Sequence, residues 1–121
     1  MAIILVVEDD PNQARLYAQE LSQEGYEIVI ARDGREAMET VEQQKPDLVV
    51  MDISMPGMDG IECMGRLLSR DNKLPIILNT AYATYQDNFR SWSADDYIVK
   101  SSDLTELKES IRTVLAKRGL S

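Results

Sequence analysis

Ala2-Ile3-Ile4-Leu5-Val6-Val7 is a continuous aliphatic run that stops abruptly at three acids, Glu8-Asp9-Asp10. A strand that is apolar at every position must be covered on both faces, which is the signature of a parallel sheet wrapped by helices. The acids then open a helix. Asp10 is placed to cap it, Pro11 suits its first position, and Gln13 stands three residues after the cap as in a capping box. Ala14, Tyr17, Ala18 and Leu21 follow at helical spacing, and Gly25 is the expected stop.

The same unit recurs along the chain. Tyr26 to Ala31 reads as a second strand, and Gly34 to Gln44 as a second helix with Ala37, Met38 and Val41 inward. Lys45-Pro46 breaks the pattern. Asp47 to Met51 is a third buried strand that also ends in an acid, Asp52, followed by the turn-rich Met55-Pro56-Gly57-Met58-Asp59-Gly60. A helix carrying Ile61, Met64, Leu67 and Leu68 comes next. Leu74 to Leu78 is a fourth strand that delivers Asn79 and Thr80 to its end, and a short helix is expected through Phe89 and Trp92. Tyr97-Ile98-Val99 is a fifth strand ending at Lys100. Asp103 with Glu106 is expected to cap a last helix, with Leu104, Leu107, Ile111, Val114 and Leu115 inward.

Five strands alternating with five helices imply a doubly wound α/β fold with right-handed crossovers, because parallel neighbours must be joined across a face of the sheet. A chain of 121 residues, 44% apolar and 28% charged, suits one such domain over residues 1–121. No apolar run approaches the ~20 residues needed to span a bilayer, and Ala2 to Val7 lacks a cationic start and a cleavage site, so a cytoplasmic protein without membrane contact is expected. A net charge of −8 argues against direct nucleic-acid binding, which depends on Lys and Arg neutralising phosphates. The chain has no histidine and one cysteine, Cys63. Histidine-based hydrolytic mechanisms, zinc sites and internal disulfides are therefore excluded, and Cys63 reads as a small apolar or helix-surface residue, with a redox sensor as the alternative.

In doubly wound sheets the site lies outside the carboxyl ends of the strands. The residues there are Glu8 and Asp9, Asp52, Thr80 and Lys100, so four distant segments converge on one edge. Clustered carboxylates repel one another, and a hard divalent cation such as Mg²⁺ relieves that repulsion through oxygen ligands. A carboxylate can attack phosphorus if positive charge stabilises the phosphoryl oxygens, and the metal with Lys100 would supply it. Thr80 adds a hydroxyl able to donate to a phosphoryl oxygen and to move toward it.

These segments resemble the receiver domain of bacterial two-component response regulators. The resemblance rests on Ile4 to Asp10, Asp47 to Gly60, Asn79-Thr80-Ala81 and Asp95 to Lys100, in that order and spacing, and it covers essentially the whole chain. It implies a flavodoxin-like sheet of order 2-1-3-4-5, an order borrowed from the family. It further implies that Asp52 is the phosphoacceptor, that Asp9, Asp52 and the backbone carbonyl of Ser54 ligate Mg²⁺, and that Glu8 acts on the metal through water. By the same resemblance Thr80 and Lys100 read the phosphoryl group, Ala81 leaves room for it, and Tyr97 is the aromatic whose rotamer follows Thr80. Ser54 and Tyr82 stand where the family tunes phosphoryl lifetime. Where relatives commonly carry proline after the lysine, in a cis peptide, this chain has Ser101. A cis bond before a residue other than proline costs ~3–4 kcal/mol, so the following loop is expected to run differently.

The function implied is a phosphorelay switch, not an enzyme acting on small substrates. It takes a phosphoryl group from a phosphohistidine on a sensor histidine kinase or a histidine phosphotransfer protein, changes shape to control a protein target, and resets by aspartyl-phosphate hydrolysis. The alternatives are a receiver-like adaptor independent of phosphorylation and a phosphohydrolase. The second would need a substrate pocket and commonly a second acid where Ser54 stands.

Overall fold

A computed structural model of the chain describes residues 1–52, 60–81 and 94–119. Its strands are β1 (Ile3–Val7), β2 (Glu27–Ala31), β3 (Leu48–Met51), β4 (Ile76–Thr80) and β5 (Asp96–Val99). They form one parallel sheet in the order β2-β1-β3-β4-β5. The described helices are α1 (Pro11–Ser22), α2 (Gly34–Gln44), α3 (Gly60–Arg70) and α4 (Thr105–Lys117). The helix expected through Phe89 and Trp92 falls outside the described residues, as do Ser54, the Met55 to Asp59 turn and Tyr82.

Side-chain alternation along the strands divides the interior into two layers. Leu5, Val7, Val49, Met51, Ile76, Leu78 and Tyr97 point to one face, where they meet Ala37 of α2 and Cys63, Met64 and Leu67 of α3. Ile4, Val6, Leu48, Val50, Ile77 and Ile98 point to the other, against Tyr17 and Leu21 of α1 and Leu107, Ile111, Val114 and Leu115 of α4. Two covered faces explain why the strands read as unbroken aliphatic runs and not as alternating ones. Cys63 belongs to the first layer, fully buried with its Sγ 3.9 Å from the Gly34 carbonyl oxygen, so it sits as a small apolar residue and not on the helix surface.

Local signals set most element ends. Asp10 caps α1 by accepting from the Asn12 amide at 2.9 Å, with Pro11 in the first turn. The return bond of a capping box is not made by Gln13. The Asp10 amide donates instead to Glu8 Oε2 at 3.1 Å, because the Gln13 amide reaches the Asp10 carboxylate. Gly25, at φ 95°, reverses the chain just beyond α1, a conformation open to glycine without steric penalty. α2 occupies the expected residues, opens on Asp33 accepting from the Glu36 amide at 2.9 Å, and closes on Lys45 in the left-handed conformation. At α4 the N-cap is Leu104. Asp103 and Glu106 do not form the expected box, since Asp103 Oδ1 accepts from both the amide and the hydroxyl of Thr105. Those bonds hold the Asp103 carboxyl below its ordinary pKa.

Strand bounds differ from the sequence expectation mainly at β4. It starts at Ile76, after Pro75 and where the Ile76 amide donates to Asp95 Oδ2, and its ladder continues through Asn79 and Thr80 against β5. No peptide bond among the described residues is cis, the Lys100–Ser101 bond included. None of the described helices is long and apolar enough to cross a membrane.

Ile77 is fully buried at the middle of the second layer. Ile77→Ala removes about three carbons where aliphatic neighbours from two helices cannot all close in, so a loss of ~2–5 kcal/mol is expected. Urea unfolding followed by circular dichroism checks it, with the midpoint falling and the denaturant slope unchanged.

Candidate functional site

Parallel register assembles the site. Val7 of β1 pairs with Met51 of β3, so the next residues, Glu8 and Asp52, leave the sheet side by side. Thr80 of β4 pairs with Val99 of β5, and the Lys100 amide donates to the Thr80 carbonyl at 2.7 Å. Lys100 therefore turns back over the strand ends toward the acids. Its Nζ lies 2.7 Å from Glu8 Oε1 and 2.8 Å from Asp52 Oδ2.

Carboxylate oxygens of Glu8, Asp9 and Asp52 lie within 4.8 Å of one another. Asp9 is exposed, whereas Glu8 is 2% and Asp52 8% exposed. Burial pushes the Glu8 carboxyl above its ordinary 4.5, opposed by its bonds from Lys100 and the Asp10 amide. For Lys100, burial works against the ammonium, but hydrogen bonds to Asp52 and then Glu8 outweigh it and hold the group above its ordinary 10.5. The lysine is thus a fixed cation in this site. Among the described residues, three carboxylates against one ammonium leave a net negative site whose candidate metal ligands are hard oxygens. Such a donor set fits Mg²⁺, with Asp9 facing solvent where the ion's remaining waters would sit.

The other expected site residues fall as follows. Thr80 is fully buried as the last residue of β4, and Ala81 next to it is exposed. Tyr97, 2% exposed, lies on the same face of the sheet as Thr80, two pairs back along the β4–β5 ladder. The structure thus brings together Glu8, Asp9, Asp52 and Lys100 directly and places Thr80 through the Lys100 backbone. Tyr97 is packed in the first core layer, and Ser54 lies outside the described residues.

Two residues near the site carry bonds that the sequence did not announce. Asn79 is 4% exposed and donates from Nδ2 to the Tyr17 hydroxyl at 3.0 Å. The periodicity of α1 marks Tyr17 only as an inward residue. The available signal was a phenol and an amide standing at positions otherwise filled by aliphatic side chains.

Comparison with known proteins agrees with this geometry. Residues 4–112 match the family model described as the response regulator receiver domain. The chain belongs to that family. The fold superposes with a TM-score of 0.89 on a crystal structure of the response regulator TrrA from Thermotoga maritima in complex with Mg²⁺ and beryllofluoride, at 44% identity, covering 95% of this chain and 100% of that one. TrrA in complex with the histidine kinase ThkA gives 0.87, again at 44% identity, covering 95% and 99%. The transcriptional regulatory protein PrrA of Mycobacterium tuberculosis is 34% identical over 118 residues, which are 96% of this receiver chain and 51% of PrrA. The receiver therefore spans about half the length of that relative.

The charge arrangement has measurable consequences. Lys100→Met leaves two buried carboxylates without their counter-ion, and a loss of about 3–5 kcal/mol is expected without divalent cations. Added Mg²⁺ should restore more stability to this variant than to the parent, as thermal melts with and without the ion would show. For Glu8, a folded-state pKa above 4.5 means a stabilising contribution that is complete below 4.5 and lost as pH rises through the folded value. Glu8→Gln should accordingly gain stability relative to the parent as pH rises across that window, read from melting temperatures in metal-free buffer.

Proposed function

We propose that this receiver domain is a phosphoacceptor switch whose nucleophile is Asp52. The observation that carries the reading is the Lys100 ammonium seated 2.8 Å from Asp52 Oδ2 and 2.7 Å from Glu8 Oε1, beside the exposed Asp9 carboxylate. Asp9 and Asp52, with Glu8 through water, would hold Mg²⁺, which would supply positive charge to the phosphoryl oxygens. The Ser54 carbonyl completes the set in the family pattern.

The donor is a phosphohistidine on a histidine kinase or a phosphotransfer protein. An Asp52 carboxylate oxygen attacks the phosphorus, the P–N bond to the imidazole breaks, and its electron pair stays on the nitrogen, which takes up a proton. Lys100 remains bonded at the site and offsets the charge that Asp52 acquires. The Thr80 hydroxyl donates to a phosphoryl oxygen, Ala81 leaves space for the group, and Tyr97 on the same sheet face follows Thr80. Water attack on the phosphorus then breaks the P–O bond to Asp52 and regenerates the carboxylate. One phosphoryl group is turned over on the protein's own side chain.

The complex of TrrA with a histidine kinase supports the choice of donor. PrrA and AtoC of Escherichia coli are named as regulatory proteins, and this chain covers 51% and 26% of their lengths. A protein target is the output we assign, since the chain's net charge of −8 disfavours a polyanion.

Incubation with Mg²⁺ and acetyl phosphate, followed by intact-mass measurement, should give one acid-stable, alkali-labile phosphoryl adduct. Asp52→Asn and a chelator should each abolish it, and Lys100→Met should slow its formation by roughly 10²-fold, the cost of removing one preorganised charge donor. If no adduct forms with several donors and beryllofluoride does not bind, the phosphorylation-independent adaptor becomes the better reading.

A further inference from the structure

The buried pair Tyr17 and Asn79 contributes little that the fold needs. Tyr17, 3% exposed, packs in the second layer with Val6, Leu21, Val50 and Ile77, where a phenylalanine ring would fill the same space. Asn79 follows Leu78 in β4 at a position whose neighbour on the same face, Ile77, is aliphatic. Burying a phenol and an amide desolvates both, and their mutual bond returns little beyond that cost. The pair calls for another explanation.

Its bonds lead toward the acids. The Asn79 amide donates to the Tyr17 hydroxyl at 3.0 Å, which donates to Gln13 Oε1 at 3.4 Å. Gln13 Nε2 donates to Asp10 Oδ2 at 3.5 Å, and the Asp10 amide donates to Glu8 Oε2 at 3.1 Å. Glu8 Oε1 accepts from Lys100, whose backbone amide donates to the carbonyl of Thr80, the residue after Asn79. The circuit thus closes on itself. It passes through β1, α1, β4 and β5 and holds the end of β4 from the α1 face, while Thr80 points to the opposite face. Gln13 and Tyr17 also line, with Leu16, Lys100, Ser101 and Ser102, a cleft of about 280 Å³.

We propose that Tyr17 is a positioning residue for the phosphoacceptor site: through Gln13 and Asp10 on one side and Asn79 on the other, its hydroxyl fixes the Glu8 carboxylate and the Thr80 strand end relative to each other. This rests on the phosphoacceptor reading above. Tyr17 touches neither metal nor phosphoryl group, so its influence falls on how well the site is formed before either arrives. Outer residues that orient metal ligands commonly change metal affinity by about tenfold or more, and the longer bonds here place Tyr17 at or below the low end of that range.

The experiment compares the parent, Tyr17→Phe, Gln13→Ala and the double variant by calorimetric titration with Mg²⁺ and by the rate of phosphorylation with acetyl phosphate. Melting temperatures are recorded alongside. Tyr17→Phe keeps the ring, so a melt close to the parent's is expected together with Mg²⁺ affinity weakened about three- to tenfold. The double variant should be no weaker than the weaker single, because both substitutions break one path. Binding of Mg²⁺ by Tyr17→Phe within twofold of the parent, or losses that add in the double variant, would overturn the positioning role while leaving the phosphoacceptor reading intact. A parent that binds no Mg²⁺ and takes no phosphoryl group would overturn both.

Discussion

One ammonium group makes the rest of the site possible. Glu8 and Asp52 emerge from adjacent parallel strands and have no room to diverge, and both are nearly withdrawn from solvent. Two anions so close in a partly desolvated setting repel, and burial adds to the cost of keeping Glu8 charged. Lys100 Nζ lies between them within hydrogen-bonding distance of each, and it is held there by its own backbone bond to β4. The attraction does more to fix geometry than to stabilise the fold, since buried ion pairs roughly repay their desolvation and seldom much more. The Asp52 carboxylate is thereby held in place next to its counter-ion.

That arrangement depends on the division of the sheet into two faces. Because β1, β3, β4 and β5 are all parallel, their carboxyl ends meet at one edge, and the largely aliphatic layers below bind the ends together. Parity then sorts the functional side chains. Thr80 and Tyr97 share the face covered by α2 and α3, and Asn79 belongs to the face covered by α1 and α4. A signal arriving at Thr80 has the first layer as its route, while the second layer holds the strand end still.

Much of this was legible from the chain. Runs such as Ile4 to Val7 and Leu48 to Met51 can only be strands covered on both sides, and the acids that end them can only lie at the sheet edge. The bounds of α2 follow from Asp33, the 3.6-residue apolar spacing and the Lys45-Pro46 break. The capping of α1 and α4 was less legible, because Glu8 and Ser101 take the Asp10 and Asp103 amides that Gln13 and Glu106 would take in isolation. Which acceptor wins depends on side-chain reach in three dimensions. The bond between Tyr17 and Asn79 joins residues 62 apart, and nothing local in either segment encodes a partner at that distance.

The sequence separations within the site carry a consequence for how the protein comes into being. Lys100 meets Glu8 across 92 residues and Asp52 across 48. Both Lys100 contacts are therefore non-local, and neither can form until Lys100, which follows β5, has reached the strand ends. Local helices and the β1–β2 pair can assemble early, but loop closure over such spans comes late in folding. During synthesis the acids near the amino terminus leave the ribosome well before their counter-ion does. A chain in which β5 has not docked therefore lacks the Lys100 contacts to Glu8 and Asp52.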